Sequence, residues 1–326
     1  MRKGLLAMAA IGGIAAMAHA QPPVVEPACD RACLEGYIDR YLEAMLKNRV
    51  DPELFAREVK FTENGIRLPL GGEGLWYGMT GIGTYKFYVP DIETQQVAFI
   101  GTVIEDTRNG DADNGEGNYV AVAIRLKIVD GLITEVEQLA IRPDVQLFGG
   151  GNNTSPFGNT GDNVENMGEP HPIFREVIPE SERMSREELI EVANYYFTGL
   201  ARNDGKGYYP FTDDCVRFEN GIDVLARSGT RITCKEQFEN GSLFNVVSRI
   251  RDRRFVAVDR ERGIVLAFAF FDHHQINWTW QLAELFKIEN GLIRRIEAVF
   301  HRAPFGIPSG WSTYEQAMSE SMQSVR

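Results

Sequence analysis

The chain of 326 residues has little histidine and little cysteine, with five of the first and four of the second. It also lacks a GxGxxG motif after a strand pattern, a phosphate-binding P-loop, an HExxH motif and a GxSxG motif. These absences argue against nucleotide-dependent, zinc-protease and serine-hydrolase chemistry. The formal net charge is −12, and no basic stripe offsets it. Nucleic acid and anionic membranes are therefore not expected as partners.

Long apolar runs are also scarce, and the one at the N-terminus is short and rich in small residues. Arg2 and Lys3 precede it, and the small-x-small site Ala18-His19-Ala20 follows it. This pattern predicts a secretory signal peptide over residues 1–20, and hence a periplasmic or secreted protein. A membrane span is disfavoured because the run is too short and Pro22-Pro23 follows. No membrane anchor is expected.

The four cysteines are Cys29, Cys33, Cys215 and Cys234. In an oxidising compartment they permit three pairings, of which we favour the two local bridges, Cys29–Cys33 and Cys215–Cys234. Their spacing is poor for a zinc site. No metal or other cofactor is expected.

The chain contains an internal repeat. Residues 127–142 align with residues 287–302 at a constant offset of 160, with seven of sixteen positions identical. Upstream, Glu63-Asn64-Gly65-Ile66 corresponds to Glu219-Asn220-Gly221-Ile222 at an offset of 156. A repeat of this length predicts a tandem duplication of one domain.

The repeats predict domains over residues 29–143 and 185–304, with a C-terminal tail over 305–326. Residues 144–184 between them are rich in Gly, Asn and Pro and predict an irregular connector. This connector is either a surface linker or, in part, a lid over a pocket.

Each repeat begins with a helix pattern and continues with strand patterns. Apolar residues recur at helical spacing over 34–46 and over 189–200, and Ser185 with Glu188 predicts a capping box. Asp130-Gly131 and Asn290-Gly291 predict two-residue hairpin turns between the last two strands of each repeat. The sequence therefore predicts an α+β fold of two units, each with N-terminal helices packed on an antiparallel sheet.

This order, with the stretch CDRACLEGYIDRYLEAML and the later VKFTENGIRLPLGGEGLW, resembles the nuclear-transport-factor-2-like (SnoaL-like) superfamily, and within it an uncharacterised group of secreted proteins. The resemblance covers both repeats. It implies cone-shaped domains with curved antiparallel sheets and a ligand between sheet and helices. It also implies a covalent pseudo-dimer that packs the two convex sheet faces together. Members include isomerase-type enzymes, dehydratases, polyketide cyclases, epoxide hydrolases and binding modules, so the fold does not decide the function.

The candidate catalytic residues are concentrated in the second repeat, because the first has no histidine. A histidine beside an acid can act as a general base near neutral pH. This combination resembles the Asp/His pairs of dehydratases and isomerases in the superfamily. Since His273 and His274 point to opposite faces of a strand, only one can join His301 on the concave side. Two alternatives remain for this cluster. Asp272, His274 and His301 could bind a metal, or the histidines could simply lie at a solvated strand end without a function. The catalytic candidates are Asp272, His273, His274, His301 and Glu219.

The candidate binding residues are acids and aromatics. Glu137 and Glu297 occupy equivalent strand positions and are either pocket acids or structural acids paired with arginine, and their recurrence favours the second alternative. Glu63, like Glu219, precedes an Asn-Gly turn and is a stronger pocket candidate. Most aromatics are expected to be core, and a minority to line an apolar pocket. The aromatic candidates are Trp76, Tyr77, Trp278 and Trp280.

Two functions remain open. The first is a cofactor-independent lyase, isomerase or cyclase that acts on a small apolar or aromatic molecule by acid/base chemistry. The second is a module that binds a small ligand or a protein without turnover. The sequence favours the enzyme slightly.

Overall fold

The protein folds into two large mixed β-sheets and one small two-stranded sheet with few helices, described from a computed structural model. The structure describes residues 29–106, 117–143, 158–202, 204–227, 230–239 and 247–323. The predicted signal peptide, part of the connector and the last three residues lie outside the described residues. Among the described residues, none of the helices combines the length and apolar character needed to cross a membrane.

The first unit begins with helix α1, which Asp30 caps by accepting a hydrogen bond from the backbone N–H of Cys33. Its sheet has the strand order β2-β1-β6-β5-β4-β3. The elements are α1 (Arg31–Leu46), β1 (Phe55–Glu63), β2 (Ile66–Arg67), α2 (Leu75–Gly78), β3 (Met79–Asp91), β4 (Gln96–Glu105), β5 (Asn118–Val129) and β6 (Leu132–Ile141).

Short elements join the units, and the second unit then repeats the order of the first. Its sheet has the strand order β15-β11-β12-β13-β14-β7-β8. The connecting elements are α3 (Thr160–Glu165) and two 3₁₀ turns, Pro172–Arg175 and Glu180–Glu182. The second unit contains α4 (Arg186–Arg202), β7 (Phe211–Glu219), β8 (Ile222–Asp223), β9 (Ala226–Arg227), β10 (Thr230–Arg231), α5 (Cys234–Glu239), β11 (Arg249–Asp259), β12 (Ile264–His273), β13 (Trp278–Glu289), β14 (Leu292–Pro304), α6 (Tyr314–Met318) and β15 (Met322–Gln323).

The prediction of purely antiparallel sheets is wrong at one strand pair in each unit. Strand β1 runs parallel to β6, and β7 runs parallel to β14. The reason is topological: the first strand of each unit pairs with its short successor on one side and lies beside the last strand of the meander on the other. In the second sheet, β15 adds a second parallel pair with β11.

The predicted turns and cap are confirmed. Asn64, Asp130, Asn220 and Asn290 all have a φ of about 50°, and a glycine with positive φ follows each of them. Both central residues of a type I′ turn need positive φ, which explains the Asn-Gly and Asp-Gly pairs. At the start of α4, the Ser185 N–H donates to Glu188 Oε2 (2.8 Å) and the Glu188 N–H donates to Ser185 Oγ (3.2 Å).

Each sheet buries two faces. One face packs on its own helix, α1 on β3 and β4 and α4 on β11 to β14. The other faces of the two sheets share a third apolar cluster, to which the first sheet contributes Phe87 and Ile100 and the second Leu266 and Val299. Covering both faces explains why the strand residues are almost continuously buried.

The predicted irregular connector contains more structure than its composition suggested. Helix α3 packs on β4 and β5, and its Val164 joins the cluster between the sheets. Phe174 of the first 3₁₀ turn is also buried there, 4.7 Å from the ring of Phe87. Residues 158–184 therefore cover an edge of the contact between the sheets.

Both favoured disulfides are confirmed, with Cα–Cα distances of 5.3 Å for Cys29–Cys33 and 5.8 Å for Cys215–Cys234. Replacing Cys215 and Cys234 with serine is expected to lower the free energy of unfolding by about 3 kcal/mol, because their bridge closes a loop of 19 residues. Denaturant unfolding measures this change. Replacing Cys29 and Cys33 is the control and should cost only about 2 kcal/mol, because its loop is shorter. Equal losses would contradict the loop-entropy explanation.

Candidate active site in the second unit

The two faces of the second sheet have different surroundings. Residues 265, 267, 269 and 271 of β12 pack with helix α4, whereas residues 264, 266 and 268 pack against the first sheet. On β13, Leu282 and Phe286 lie on the helix side, and Ala283 and Leu285 lie on the side of the first sheet. Every candidate side chain can be assigned to one of these faces by strand alternation.

The predicted histidine cluster is split between the faces, so the expected meeting on the concave side does not occur. His301 lies on the same side as Val299, facing the first sheet, and its Nε2 is 3.0 Å from Gln281 Oε1. Asp272 lies on that side too. His273 lies on the helix side, and His274 is exposed in the turn that follows β12. Among the described residues, no group of three or more His, Cys, Asp or Glu side chains is placed to hold a metal ion.

Asp272 is a structural acid. It is buried and accepts hydrogen bonds from Arg251 Nε (2.9 Å), Arg249 Nε (2.9 Å) and Thr279 Oγ1 (2.7 Å). Burial acts to raise its pKa, but the hydrogen bonds from Arg251 and Thr279 hold the pKa below its ordinary value. A carboxylate held in this way is a poor proton acceptor, so its position does not support the predicted catalytic role.

His273 is a neutral side chain inside the helix-facing core. Its ring lies 4.4 Å from the ring of Trp280 and 6.3 Å from that of Trp278. Burial lowers its pKa to about 4, so it is uncharged at neutral pH. Neither ring nitrogen has a hydrogen-bond partner of standard geometry among the described residues. Trp280 stacks on Phe300 at 4.8 Å, and Trp278 lies under Arg302 at 3.8 Å.

Glu137 and Glu297 lie between the sheets, and the structural alternative holds for both. Glu137 accepts two hydrogen bonds of 2.7 Å from Arg254 and lies 3.4 Å from Arg125 Nε. Glu297 accepts from Arg295 Nε (2.6 Å) and from the Tyr85 hydroxyl (2.9 Å). Their carboxylates are occupied by these partners, so a role in substrate binding is not supported.

The interior of the first unit is a closed hydrogen-bond network around Glu63. Its carboxylate accepts from the Leu75 N–H (2.8 Å), Gln138 Nε2 (3.0 Å) and Arg142 Nη2 (2.8 Å). The Tyr41 hydroxyl donates to Gln138 Oε1 (2.8 Å) and accepts from Trp76 Nε1 (3.1 Å). This pairing makes Glu63 and Trp76 structural, and Tyr77 lies on the surface with 64% of its area exposed.

The corresponding interior of the second unit contains a carboxyl group that the sequence analysis missed. Glu284 lies on the helix side of β13 between Leu282 and Phe286, and only 1% of its surface is exposed. Neither of its oxygens has a hydrogen-bond partner of standard geometry among the described residues, and the same is true of the neighbouring Tyr196 hydroxyl. A carboxyl group buried with so few polar partners is rare and calls for an explanation such as a ligand or ordered water.

Two further residues of strand β7 complete the centre. Arg217 is buried, donates to Gln237 Oε1 (2.9 Å) and forms a short ion pair with Glu219. Its guanidinium also lies 5.6 Å from the centre of the Tyr196 ring. Of the predicted catalytic residues, Glu219 is therefore the one that belongs to this centre.

The two carboxyl groups of the centre have different environments. Burial raises the pKa of Glu284 to about 8, although the Arg217 charge and the Tyr196 hydroxyl oppose this rise and the Glu219 charge adds to it. Glu284 is thus mainly protonated at neutral pH and can donate a proton. Glu219 is half-buried and has the arginine as a direct counter-ion. A protonated, buried acid next to an acid that is paired with arginine is an arrangement suited to acid/base chemistry.

A signal in the sequence could have identified this centre. In the stretch TWQLAELFKI, Glu284 interrupts the alternating apolar positions that face the helix. The residue of the first unit that corresponds to Glu284 is Ile124, at the repeat offset of 160. The residue that corresponds to Arg217 is Phe61, at the offset of 156. A buried acid and a buried base that appear together in one copy indicate a site specific to that copy.

Comparison with known proteins places one family on the second unit. Residues 182–300 match the family described as a domain of unknown function, DUF8021. No curated protein matches the chain.

Solved structures with low similarity include three that cover about one unit. A putative isomerase from Bacillus subtilis is 14% identical and covers 35% of this chain and 87% of its own, with a TM-score of 0.29. An M. tuberculosis LEH-like epoxide hydrolase is 16% identical over 35% and 84%, with a TM-score of 0.27. An NTF-2-like protein of unknown function from Burkholderia xenovorans LB400 is 15% identical over 39% and 94%, with a TM-score of 0.28. At these scores none of the three supports a functional argument.

Proposed function

We propose that the protein is an exported, tandemly duplicated SnoaL-like protein whose second unit is a cofactor-independent lyase, isomerase or cyclase. The units extend over residues 29–143 and 185–304 and form a pseudo-dimer through their sheets. The shared strand order and the apolar cluster between the sheets support this arrangement. The proposed substrate is a small apolar or aromatic molecule with a carbonyl or hydroxyl group.

The observation that carries this proposal is the fully buried Glu284, which lies beside the Tyr196 hydroxyl and the Arg217–Glu219 pair. The surrounding side chains are largely aromatic, with Phe286 and Phe238 centred 5.2 Å and 5.3 Å from the Tyr196 ring. Aromatic surroundings of this kind favour an apolar ligand, and the polar atoms of Glu284 and Tyr196 would fix its orientation.

The proposed step is a proton transfer between two carbon positions. Glu219 takes the proton from the carbon beside the carbonyl group, while Glu284 gives its proton to the carbonyl oxygen, and an enol forms. In an isomerisation the enol is conjugated as a dienol, Glu219 returns its proton to a different carbon, and the enol O–H proton goes back to Glu284 as the carbonyl group re-forms. In an elimination the enol O–H proton likewise goes back to Glu284, while a hydroxyl group on the β-carbon leaves as water with the proton held by Glu219. Tyr196 would orient the substrate oxygen.

The test is the exchange of α-hydrogens of 2-tetralone in D₂O, followed by proton NMR on the mature chain. Glu284→Gln and Glu219→Gln are each expected to slow the protein-catalysed exchange by about 100-fold or more, because each removes one partner of the proton transfer. Glu187→Gln, on the exposed side of α4, is the matched control and should retain the wild-type rate. Unchanged rates in both site variants, with wild-type catalysis present, would disprove the assignment.

The second candidate is a ligand-binding module without turnover, and the near-complete burial of Glu284 favours it. In that case 2-tetralone would raise the melting temperature by mass action, but its hydrogens would exchange no faster than in buffer. Glu284→Leu would then remove the thermal shift. Measuring exchange and melting on the same samples separates the two functions.

A further inference from the structure

A groove on the surface of the second unit lies between helix α4 and the C-terminal strand β15. Its volume is about 540 Å³, enough for a small organic molecule. It lies outside the acid/base centre and shares no residue with it. Its lining residues are Asn194, Thr198, Ala201, Arg202, Arg253, Glu320, Ser321 and Met322.

Arg253 is a buried cation in the wall of this groove, with 4% of its surface exposed. Its Nε donates to the Ile250 carbonyl (3.1 Å), and its Nη1 donates to Thr198 Oγ1 (3.2 Å) and Asn194 Oδ1 (3.4 Å). Within the described part of the chain, Nη2 has no hydrogen-bond partner and no carboxylate forms an ion pair with Arg253. The guanidinium therefore still has donors to offer to a ligand.

The other deeply buried arginines of the sheet differ from Arg253 in this respect. Arg254 is paired with Glu137, Arg251 with Asp272, and Arg217 with Glu219. Burial lowers the pKa of Arg253 to about 10, and only the more distant Glu320 charge opposes this shift. A buried charge without a counter-ion is costly, and an anionic ligand would remove the cost.

The remaining groups of the groove restrict the charge of such a ligand. Arg202 is already paired with Asp204 at 2.7 Å, so it adds little free positive charge. Glu320 contributes a negative charge and would repel a dianion. Ala201 and Met322 provide apolar surface beside the polar groups.

We infer that this groove binds a small organic monocarboxylate. The carboxylate accepts hydrogen bonds from the Arg253 guanidinium, and the alkyl or aryl part lies against Ala201 and Met322. Charge-assisted hydrogen bonds of this kind are about twice as strong as neutral ones. This inference does not depend on the proposed function, because the groove and the acid/base centre share no residue.

The test is isothermal titration calorimetry of the mature chain with butanoate. Two other probes are titrated for comparison: 1-butanol, which is the neutral analogue, and inorganic phosphate, which is mainly a dianion. The wild type is expected to bind butanoate with a millimolar Kd, and the other two probes at least about tenfold more weakly. Arg253→Met should weaken butanoate binding by about tenfold or more, and Arg253→Lys by less. Arg260→Met removes an exposed arginine paired with Glu93 and is the matched control, with no expected change.

The inference is overturned if the wild type shows no butanoate binding at millimolar concentration, or if Arg253→Met binds as tightly as the wild type. If phosphate binds as tightly as butanoate, the groove binds oxyanions in general, and the monocarboxylate assignment is wrong. If Arg253→Met does not fold, Thr198→Val tests the same site. That variant removes the hydroxyl that orients Nη1, and unchanged binding in it would also contradict the inference.

Discussion

Glu284→Gln is expected to stabilise the protein increasingly as the pH rises, by about 4 kcal/mol more at pH ~9 than at pH ~5. In the folded wild type burial raises the pKa of Glu284 to about 8, whereas an unfolded glutamate has a pKa of about 4.3. Between these values the folded state binds more protons than the unfolded state, so stability falls as the pH rises. The neutral amide of glutamine does not titrate and escapes this loss.

The measurement is denaturant unfolding of wild type and Glu284→Gln at several pH values. All other titrating groups are shared, so the difference between the two proteins isolates Glu284. Glu187→Gln, which replaces an exposed glutamate of α4, is the matched control. Parallel pH profiles for Glu284→Gln and wild type would show that the carboxyl group titrates normally.

A large loss of stability is expected from Glu137→Leu, about 3–5 kcal/mol, because Glu137 is the buried counter-ion that joins the two units. Its carboxylate accepts two hydrogen bonds of 2.7 Å from Arg254 of the second unit, and it lies 3.4 Å from Arg125 of the first. The substitution leaves the buried guanidinium groups of Arg254 and Arg125 without one of the carboxylates that balance their charge. The loss can be measured by denaturant unfolding.

The double variant Glu137→Leu with Arg254→Leu should be more stable than Glu137→Leu alone, because it removes one of the two guanidinium groups that lose Glu137 as a counter-ion. The exposed pair Lys47–Glu43 is a suitable control. Its removal should change the free energy of unfolding by less than about 1 kcal/mol. A loss at Glu137 as small as at this surface pair would contradict a buried contact between the units.

Local features of the fold could be predicted because their causes are local. Asn290-Gly291 forms its turn because the backbone there needs positive φ, and Ser185 with Glu188 forms its cap because the two side chains are one helical turn apart. The pairing of Cys215 with Cys234 followed from spacing and compartment. The parallel β1–β6 pairing could not be predicted in this way, since it depends on how the chain returns across the sheet.

The candidate site was harder to predict because alternation sorts residues into two faces without saying which face meets the helix. His301 was assigned to the concave side, but Val299 next to it on the same face packs against the first sheet. The partner of Glu137 is Arg254 of the second unit. The sequence pattern of a single strand cannot predict a contact between two units. Glu284 could not be predicted as readily, because one acid within an apolar strand carries no signal of its own until the face that meets the helix is known.

The protonation of Glu284 is the property on which the proposed acid/base centre depends most directly. It can be measured by carbon-13 NMR titration of protein labelled at the glutamate side-chain carboxyl carbon, with Glu284→Gln to assign the resonance. We expect one resonance to titrate near pH 8 and to be absent from the Glu284→Gln spectrum. If the resonance that disappears instead titrates near the ordinary glutamate value of about 4.3, the second unit has no buried acid of this kind and the proposed centre is wrong.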